Sequence, residues 1–346
     1  MKRLIAGASL AAALFAPAAG HAQNVEQKDV KFSLDWAFQG PQSVFLYGAE
    51  RGDFQKQGLN VQIDRGSGSA DTIVRVASGA YDFGWADLAT MIKYNAQNPS
   101  KQLIAVYITG DNSPLTIVTV EGRGIKVPKD LEGRTVGATA GSAALALFDA
   151  FAEKAKIDPK KITWKQMSGQ LREPMMVRGE VDAIAGFTTS SIMSVVELGV
   201  PLEKVVTMRY NDYGITQYGT AIFTRPEFLQ KNPKTVAAFV RAVNQSQKDA
   251  IANPQGSVKS ILARDPLVKL DMECLRLLDG LETLTLTKAF KEQGLSVIDD
   301  QRMKTSIAET LSAFEIKGEM PVEKVYTAAY LPPKDELMPP PLGSCK

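Results

Sequence analysis

"LDWAFQGPQS", residues 34–43, is the stretch on which the reading of this chain turns. Val30, Phe32 and Leu34 alternate with polar residues as a half-buried strand does. Gly40-Pro41 then opens a helical pattern, with proline at a favoured first-turn position. Asp35 and Trp36 therefore fall in a short strand-to-helix connection. In open α/β sheets ligands sit beyond the carboxyl ends of strands. A carboxylate and an indole at such a point have two readings: core packing, or the wall of a binding site.

The ends of the chain and its composition narrow the function. Lys2 and Arg3, the apolar run from Leu4 to Phe15, and the small residues of Gly20-His21-Ala22 read as a secretory leader over residues 1–22, cleaved after Ala22. The expected mature protein is exported, soluble and periplasmic. Removing Lys2 and Arg3 from 40 basic residues leaves 38, matching the 38 acidic ones. No basic run of the kind that tracks nucleic acid is present. His21, the single histidine, leaves with the leader, which excludes histidine triads and the common zinc sites. Cys274 and Cys345 have no metal-ligand spacing; a disulfide is allowed in this compartment, but the reading is a buried thiol and a frayed one. No cofactor is expected.

Outward from residue 34, short apolar strands alternate with amphipathic helices. Strands are expected at 30–34, 60–64, 82–85 and 103–109, then at 115–120, 135–138, 162–167, 182–186, 205–208 and 219–224. Ser142 is expected to cap one long helix carrying Leu145, Phe148, Phe151 and Ala152 on an apolar stripe. The chain beyond is mainly helical, including 233–252 and 271–283, and the proline-rich tail 332–346 reads as disordered. Such alternation argues for α/β sheets covered by helices. Two consecutive domains, or one interrupted by the other near 111–115 and 217–220, both satisfy the pattern.

The strand ends are rich in hydrogen-bonding groups and aromatic faces and poor in nucleophile–base pairs, which suits holding a molecule more than transforming it. The candidates are Asp35 and Trp36, Ser67 and Ser69 in a glycine-serine loop, Ala86 and Asp87, Gly141 and Ser142, and Phe187, Thr188 and Thr189. Tyr213 and Tyr218, just before the return crossing, are candidate cleft walls. Asp87 reads first as a helix N-cap and second as a ligand contact, and Ser142 reads as an N-cap whatever else it does. Arg172 and Glu173 read as a solvated face. No lysine or arginine stands at the chosen strand ends, which disfavours a strongly charged anion. Asp35 is expected to accept from an amine or ring N–H.

Those residues carry a resemblance. "LDWAFQGPQSVFLYGAERGDFQKQGLNVQI", "GSGSADTIVRVASGAYDFGWAD", "GIKVPKDLEGRTVGATAGSAALALFDAF" and "RGEVDAIAGF" together resemble the periplasmic solute-binding proteins of ABC importers. The branch they are similar to holds the alkanesulfonate, taurine and nitrate binders and the thiamine-pyrimidine-precursor binders. The resemblance implies an α/β, two-lobed type II periplasmic-binding fold, each lobe a mainly parallel sheet flanked by helices, with two hinge crossings. It selects the interrupted order: lobe one from 23–112 and 219–331, lobe two from 113–218. It implies a small-molecule ligand, an inner-membrane permease as partner, a monomer, and site roles for Asp35, Trp36, Ser67, Ser69, Ala86, Asp87, Gly141, Ser142, Phe187, Thr188 and Thr189.

"LDW" looks most like the pyrimidine-precursor group, in which the aromatic stacks on a heteroaromatic ring. The chain departs from that group where "AFQGPQ" replaces a Pro-Asn and histidine stretch, and where "TTSSI" stands after "GF" in place of glutamate. The pyrimidine ligand is accordingly not carried over. Fungal pyrimidine synthases share the fold, but their chemistry relies on histidine and a cysteine-rich segment. A periplasmic sensor or adaptor of the same fold is the other alternative.

Overall fold

The computed structural model describes residues 25–346. The expected leader, with His21, lies outside the described residues. Ten strands form at the ten apolar segments. They are β1 (Asp29–Ser33), β2 (Asn60–Asp64), β3 (Phe83–Asp87), β4 (Ile104–Ile108), β5 (Leu115–Val120), β6 (Thr135–Thr139), β7 (Thr163–Met167), β8 (Ala183–Phe187), β9 (Val205–Arg209) and β10 (Thr220–Thr224). They build two five-stranded sheets, ordered β2-β1-β3-β10-β4 and β7-β6-β8-β5-β9. The result is a two-lobed α/β architecture.

Each sheet is parallel except for one strand. β10 runs antiparallel to β3 and β4, and β5 antiparallel to β8 and β9. These are the two strands by which the chain enters each lobe, β5 arriving from β4 and β10 from β9. The parallel strands point their carboxyl ends at the other lobe. A chain crossing over arrives at that same side, so its first strand must run the opposite way.

The two crossings lie side by side. The Gly219 N–H donates to Gly110 O at 2.9 Å, and the Thr109 N–H to Thr220 O at 2.9 Å. A side chain at Gly219 would run into the Asn112 carbonyl, so this close approach requires glycine.

Apolar periodicity locates each core. The helix Pro233–Ala252 buries Val236, Phe239, Val240 and Val243 at three- and four-residue spacing. Phe239 stacks on Phe83 of β3 at 4.0 Å and meets Phe32 of β1 edge-on at 5.2 Å. In the second lobe Phe151 stacks on Tyr210 at 4.4 Å. The helix expected from Ser142 is interrupted: Leu147 leaves helical geometry (φ −99°, ψ 9°), separating Ala143–Ala146 from Phe148–Ala155. The helix Leu270–Gly280 gives way to a π-helical turn, Leu281–Thr285.

Two expectations about the tail are corrected. Cys274 and Cys345 form a disulfide, not two thiols. Residues 332–346 are not loose: Lys334–Leu337 is a helical turn, Leu337 is buried, and the Gly343 N–H donates to Ile251 O at 2.8 Å. Proline-rich composition signals a chain that cannot form helices or sheets by itself; it is silent on side-chain anchors elsewhere. The bond closes a loop of 71 residues, so Cys345→Ser should lower stability by about 2–4 kcal/mol in urea titrations. An unchanged midpoint would show that the bond adds nothing to the packing of the tail.

Candidate functional site

Residues that follow β1, β2, β6, β7 and β8 converge on one cleft between the lobes. Its outer part is a cavity of about 560 Å³ walled by Trp36, Ser67, Thr139, Gly169, Arg172 and Glu197 among others. Behind it lie two small chambers. One, about 40 Å³, is lined by Asp35, Trp36 and Ser69 from lobe one and by Ser142, Arg172, Phe187 and Thr189 from lobe two. The other, about 70 Å³, lies against the hinge and is lined by Asp35, Gln42, Phe45, Trp85, Phe187 and Gln247 among others.

The first connection is shaped by backbone contacts. The Gly68 N–H donates to Asp35 O at 2.7 Å and the Gly66 N–H to Trp36 O at 3.2 Å. A side chain at Gly66 would run into the Leu34 carbonyl, so the glycine-rich loop serves close approach of two chain segments. Asp35 is buried and accepts from Gln42 Nε2 at 3.0 Å. Burial pushes its carboxyl up to about 7, the Gln42 hydrogen bond opposing and the neighbouring Asp87 adding to the rise. Trp36 is half-buried and spans the cleft. Its ring lies where a side chain at Gly169 of lobe two would have to go, and the Arg172 Cζ stands 5.8 Å from its centroid.

The other candidates divide. Ser69 and Ser142 line the inner chamber, and Ser142 also caps its helix, accepting from Leu145 N at 3.4 Å. Ser67 is exposed at the outer rim. Phe187 and Thr189 line both chambers, while Thr188 is buried behind them with its N–H on Pro114 O. Ala86 packs in the core of lobe one. Asp87 is an N-cap, accepting from Thr90 N and Oγ1, both at 2.7 Å; burial pushes its carboxyl up to about 6. Gly141 has a left-handed φ of 72° that suits glycine, and a side chain there would come up against Ala70 of lobe one. None of Thr188, Ala86, Asp87 or Gly141 faces the chambers.

The tyrosines do not form a cleft wall. Tyr218 is buried in lobe one, its hydroxyl accepting from Asp299 N at 2.8 Å and its ring under Arg302. Tyr213 packs edge-on to Phe151 in lobe two.

Three sets of residues were missed. Arg172 and Glu173 are not a solvated face; they form a buried ion pair, Arg172 Nε to Glu173 Oε1 at 3.0 Å, with Arg172 Nη2 also donating to Ser191 Oγ at 2.9 Å. A cation therefore does line the site, already matched by its neighbour. The strand-end rule applied to β7 would have included Ser168-Gly169 and brought these residues into view. Gln42 sits in the first turn of Gly40–Glu50 and Gln247 in the interior of Pro233–Ala252, and neither carries a sequence signal of its own. Arg276, fully buried on Leu270–Gly280, pairs with Glu273 at 3.0 Å and reaches across the cleft to Thr189 O at 3.0 Å and Ser190 O at 2.5 Å. Glu273 in turn accepts from Gly40 N at 2.6 Å. This clasp joins the start of the first helix of lobe one to the helix Thr188–Glu197 of lobe two. Among the described residues no cluster of three or more His, Cys, Asp or Glu side chains is arranged for a metal.

Two lobes, a cleft at the strand ends and paired crossings define a periplasmic-binding fold. The chain belongs to the NMT1/THI5-like family, which residues 41–257 match. It is 24% identical over 245 residues to the 4-amino-5-hydroxymethyl-2-methylpyrimidine phosphate synthase of Schizosaccharomyces pombe, covering 67% of this chain and 68% of that one. It is 25% identical to the formylaminopyrimidine-binding protein of Halalkalibacterium halodurans, over 67% of this chain and 69% of that one. Among solved structures, it shares its fold with the alkanesulfonate-binding protein SsuA from Xanthomonas axonopodis pv. citri bound to MOPS. The TM-score is 0.65 at 15% identity, covering 88% of this chain and 98% of that one.

Raised carboxyls give a pH signature. Between the ordinary value of 3.8 and the folded values of about 7 for Asp35 and about 6 for Asp87, the native chain binds more protons than the unfolded one. These two groups therefore make stability fall as pH rises through that window. Relative to the parent, Asp35→Asn should gain stability between about pH 4 and about pH 8 in urea titrations. Parallel pH profiles for the two proteins would count against the assignment.

Proposed function

We propose that this protein is the solute-binding component of an ABC-type importer. In this reading its leader exports it to the periplasm, where one lobe (23–112 and the chain from 219) and the other (113–218) close on a single small, ring-bearing organic solute. The loaded form then delivers the solute to a membrane permease. One observation carries the reading: the inner chamber is walled by Asp35, Trp36 and Ser69 from one lobe and by Ser142, Phe187 and Thr189 from the other. Neither lobe alone could enclose a guest, so binding and closure are one event.

The surfaces on offer support holding over chemistry. Indole and phenyl faces, short hydroxyls and an already neutralised arginine can fix a flat molecule and strip its water. One relative bears the name of a synthase, but here the single histidine lies in the expected leader and both cysteines are bonded to each other. That leaves the residues such chemistry would use out of the cleft.

A thermal-shift panel of heteroaromatics, aromatic carboxylates, sulfonates and amines, followed by calorimetry, tests the reading, because a ligand stabilises the state that binds it. Trp36→Ala should weaken the best binder by at least about tenfold, roughly 1.4 kcal/mol. Unchanged affinity would remove Trp36 from the site, and turnover of the solute would replace transport with catalysis.

A further inference from the structure

The hinge-side chamber is lined by two buried amides, of which only Gln42 also lines the inner chamber. Gln42, on the helix Gly40–Glu50, and Gln247, on the helix Pro233–Ala252, are 5% and 3% exposed. The orientation of the Gln247 amide is forced. Gln247 Nε2 donates at 2.9 Å to the carbonyl of Thr109, a group that can only accept, so the amide cannot be turned round. Gln42 Nε2 donates at 3.0 Å to Asp35 Oδ1, the orientation that an ionised Asp35, an acceptor only, requires. In each case the Oε1 finds no donor within the protein. A buried acceptor left without a donor is costly, and a ligand is one way to satisfy it.

The surroundings say which kind of ligand. Asp35 lines the same chamber, adding a carboxyl to the two amide oxygens, while Phe45, Trp85, Leu277 and Leu281 supply apolar walls. No lysine or arginine lines this chamber; Arg172 belongs to the neighbouring one. The two chambers share Asp35, Gln42, Phe187 and Thr189, so a single molecule can reach both.

We infer that the hinge-side chamber takes a cationic nitrogen group of the solute, an ammonium or amidinium, which donates to Gln42 Oε1, Gln247 Oε1 and Asp35 while the ring lies toward Trp36. This rests on the solute-binding reading above and narrows it to amine-bearing ring compounds. The charged groups near Asp35 are Asp87 on β3, Arg172 across the cleft, and the Glu273–Arg276 pair that holds the start of the helix Gly40–Glu50. Burial holds the Asp35 carboxyl up at about 7, and a cation seated beside it favours the ionised form. Binding of a cation therefore releases protons and tightens as pH rises from about 5 to about 8.

The test uses the mature protein and two matched pairs of probes: benzamidine against benzoate, and 4-aminopyrimidine against 4-methylpyrimidine, which separates full charge from hydrogen-bond donation alone. Calorimetry should show benzamidine binding at least about tenfold tighter than benzoate, with 4-aminopyrimidine ahead of 4-methylpyrimidine by less. Gln247→Leu should cut the benzamidine preference about tenfold, and Gln42→Met, compared by its melting curve, provides a second variant should the first misfold. Equal affinities within the benzamidine–benzoate pair, or a preference unchanged in both variants, would overturn the inference. Tight binding of benzoate or a sulfonate instead would also overturn it but leave the solute-binding reading standing. Failure of every solute in the wider panel to bind would remove both.

Discussion

Two chain crossings held edge to edge set the terms for everything else in this protein. Gly219 and Gly110 bring the outgoing and returning segments within hydrogen-bonding distance, and the bare Cα of Gly219 leaves room for the Asn112 carbonyl. Because both crossings arrive at the cleft side of their sheets, β5 and β10 must run against their neighbours. The parallel strands are then left pointing their carboxyl ends at one another across the gap. The cleft follows from connectivity, and its lining combines residues that follow the strands with helix residues such as Gln247 and Leu277.

Closure in this structure is held by buried charge. Arg276 of lobe one is fully buried between Glu273 and the lobe-two carbonyls of Thr189 and Ser190, while the buried Arg172–Glu173 pair lies within lobe two. Isolated, such charges are expensive to desolvate; paired and hydrogen-bonded, they favour one geometry over many. Arg276 grips the helix whose first turn carries Thr189, a residue that lines both chambers. The contact that holds the lobes together and the contact offered to a guest thus meet in one residue, Thr189. Trp36 adds a second inter-lobe contact, its indole seated on Gly169 where any side chain would block it.

Local pattern was a good guide to elements and a partial guide to the site. All ten strands lie at the apolar segments, since alternation and length are properties of short stretches. Asp35, Trp36, Ser69, Ser142, Phe187 and Thr189 reach the inner chamber because the strand-end rule is topological and needs no side-chain geometry. The same rule overreached at Ala86 and Asp87, which are buried within lobe one, and the separate choice of Tyr213 and Tyr218 for their place before the return crossing failed because their rings find partners within their own lobes. It fell short at the end of β7, where Arg172 and Glu173 look like any exposed helical pair until Ser191 of the next helix and the Trp36 ring are packed against Arg172.

The sequence by itself determined the alternation of strands and helices, the placement of a tryptophan and a carboxyl at a strand end, and a family likeness spread along most of the chain, because each of these is written in neighbouring residues. Only the tertiary structure decided that Cys345 comes back to Cys274, that Arg276 bridges two lobes, and that Gln42 and Gln247 leave two amide oxygens unmet beside Asp35. Those facts depend on side chains 71 to 205 positions apart being packed together out of water, where an unpaired charge or acceptor becomes costly enough to matter.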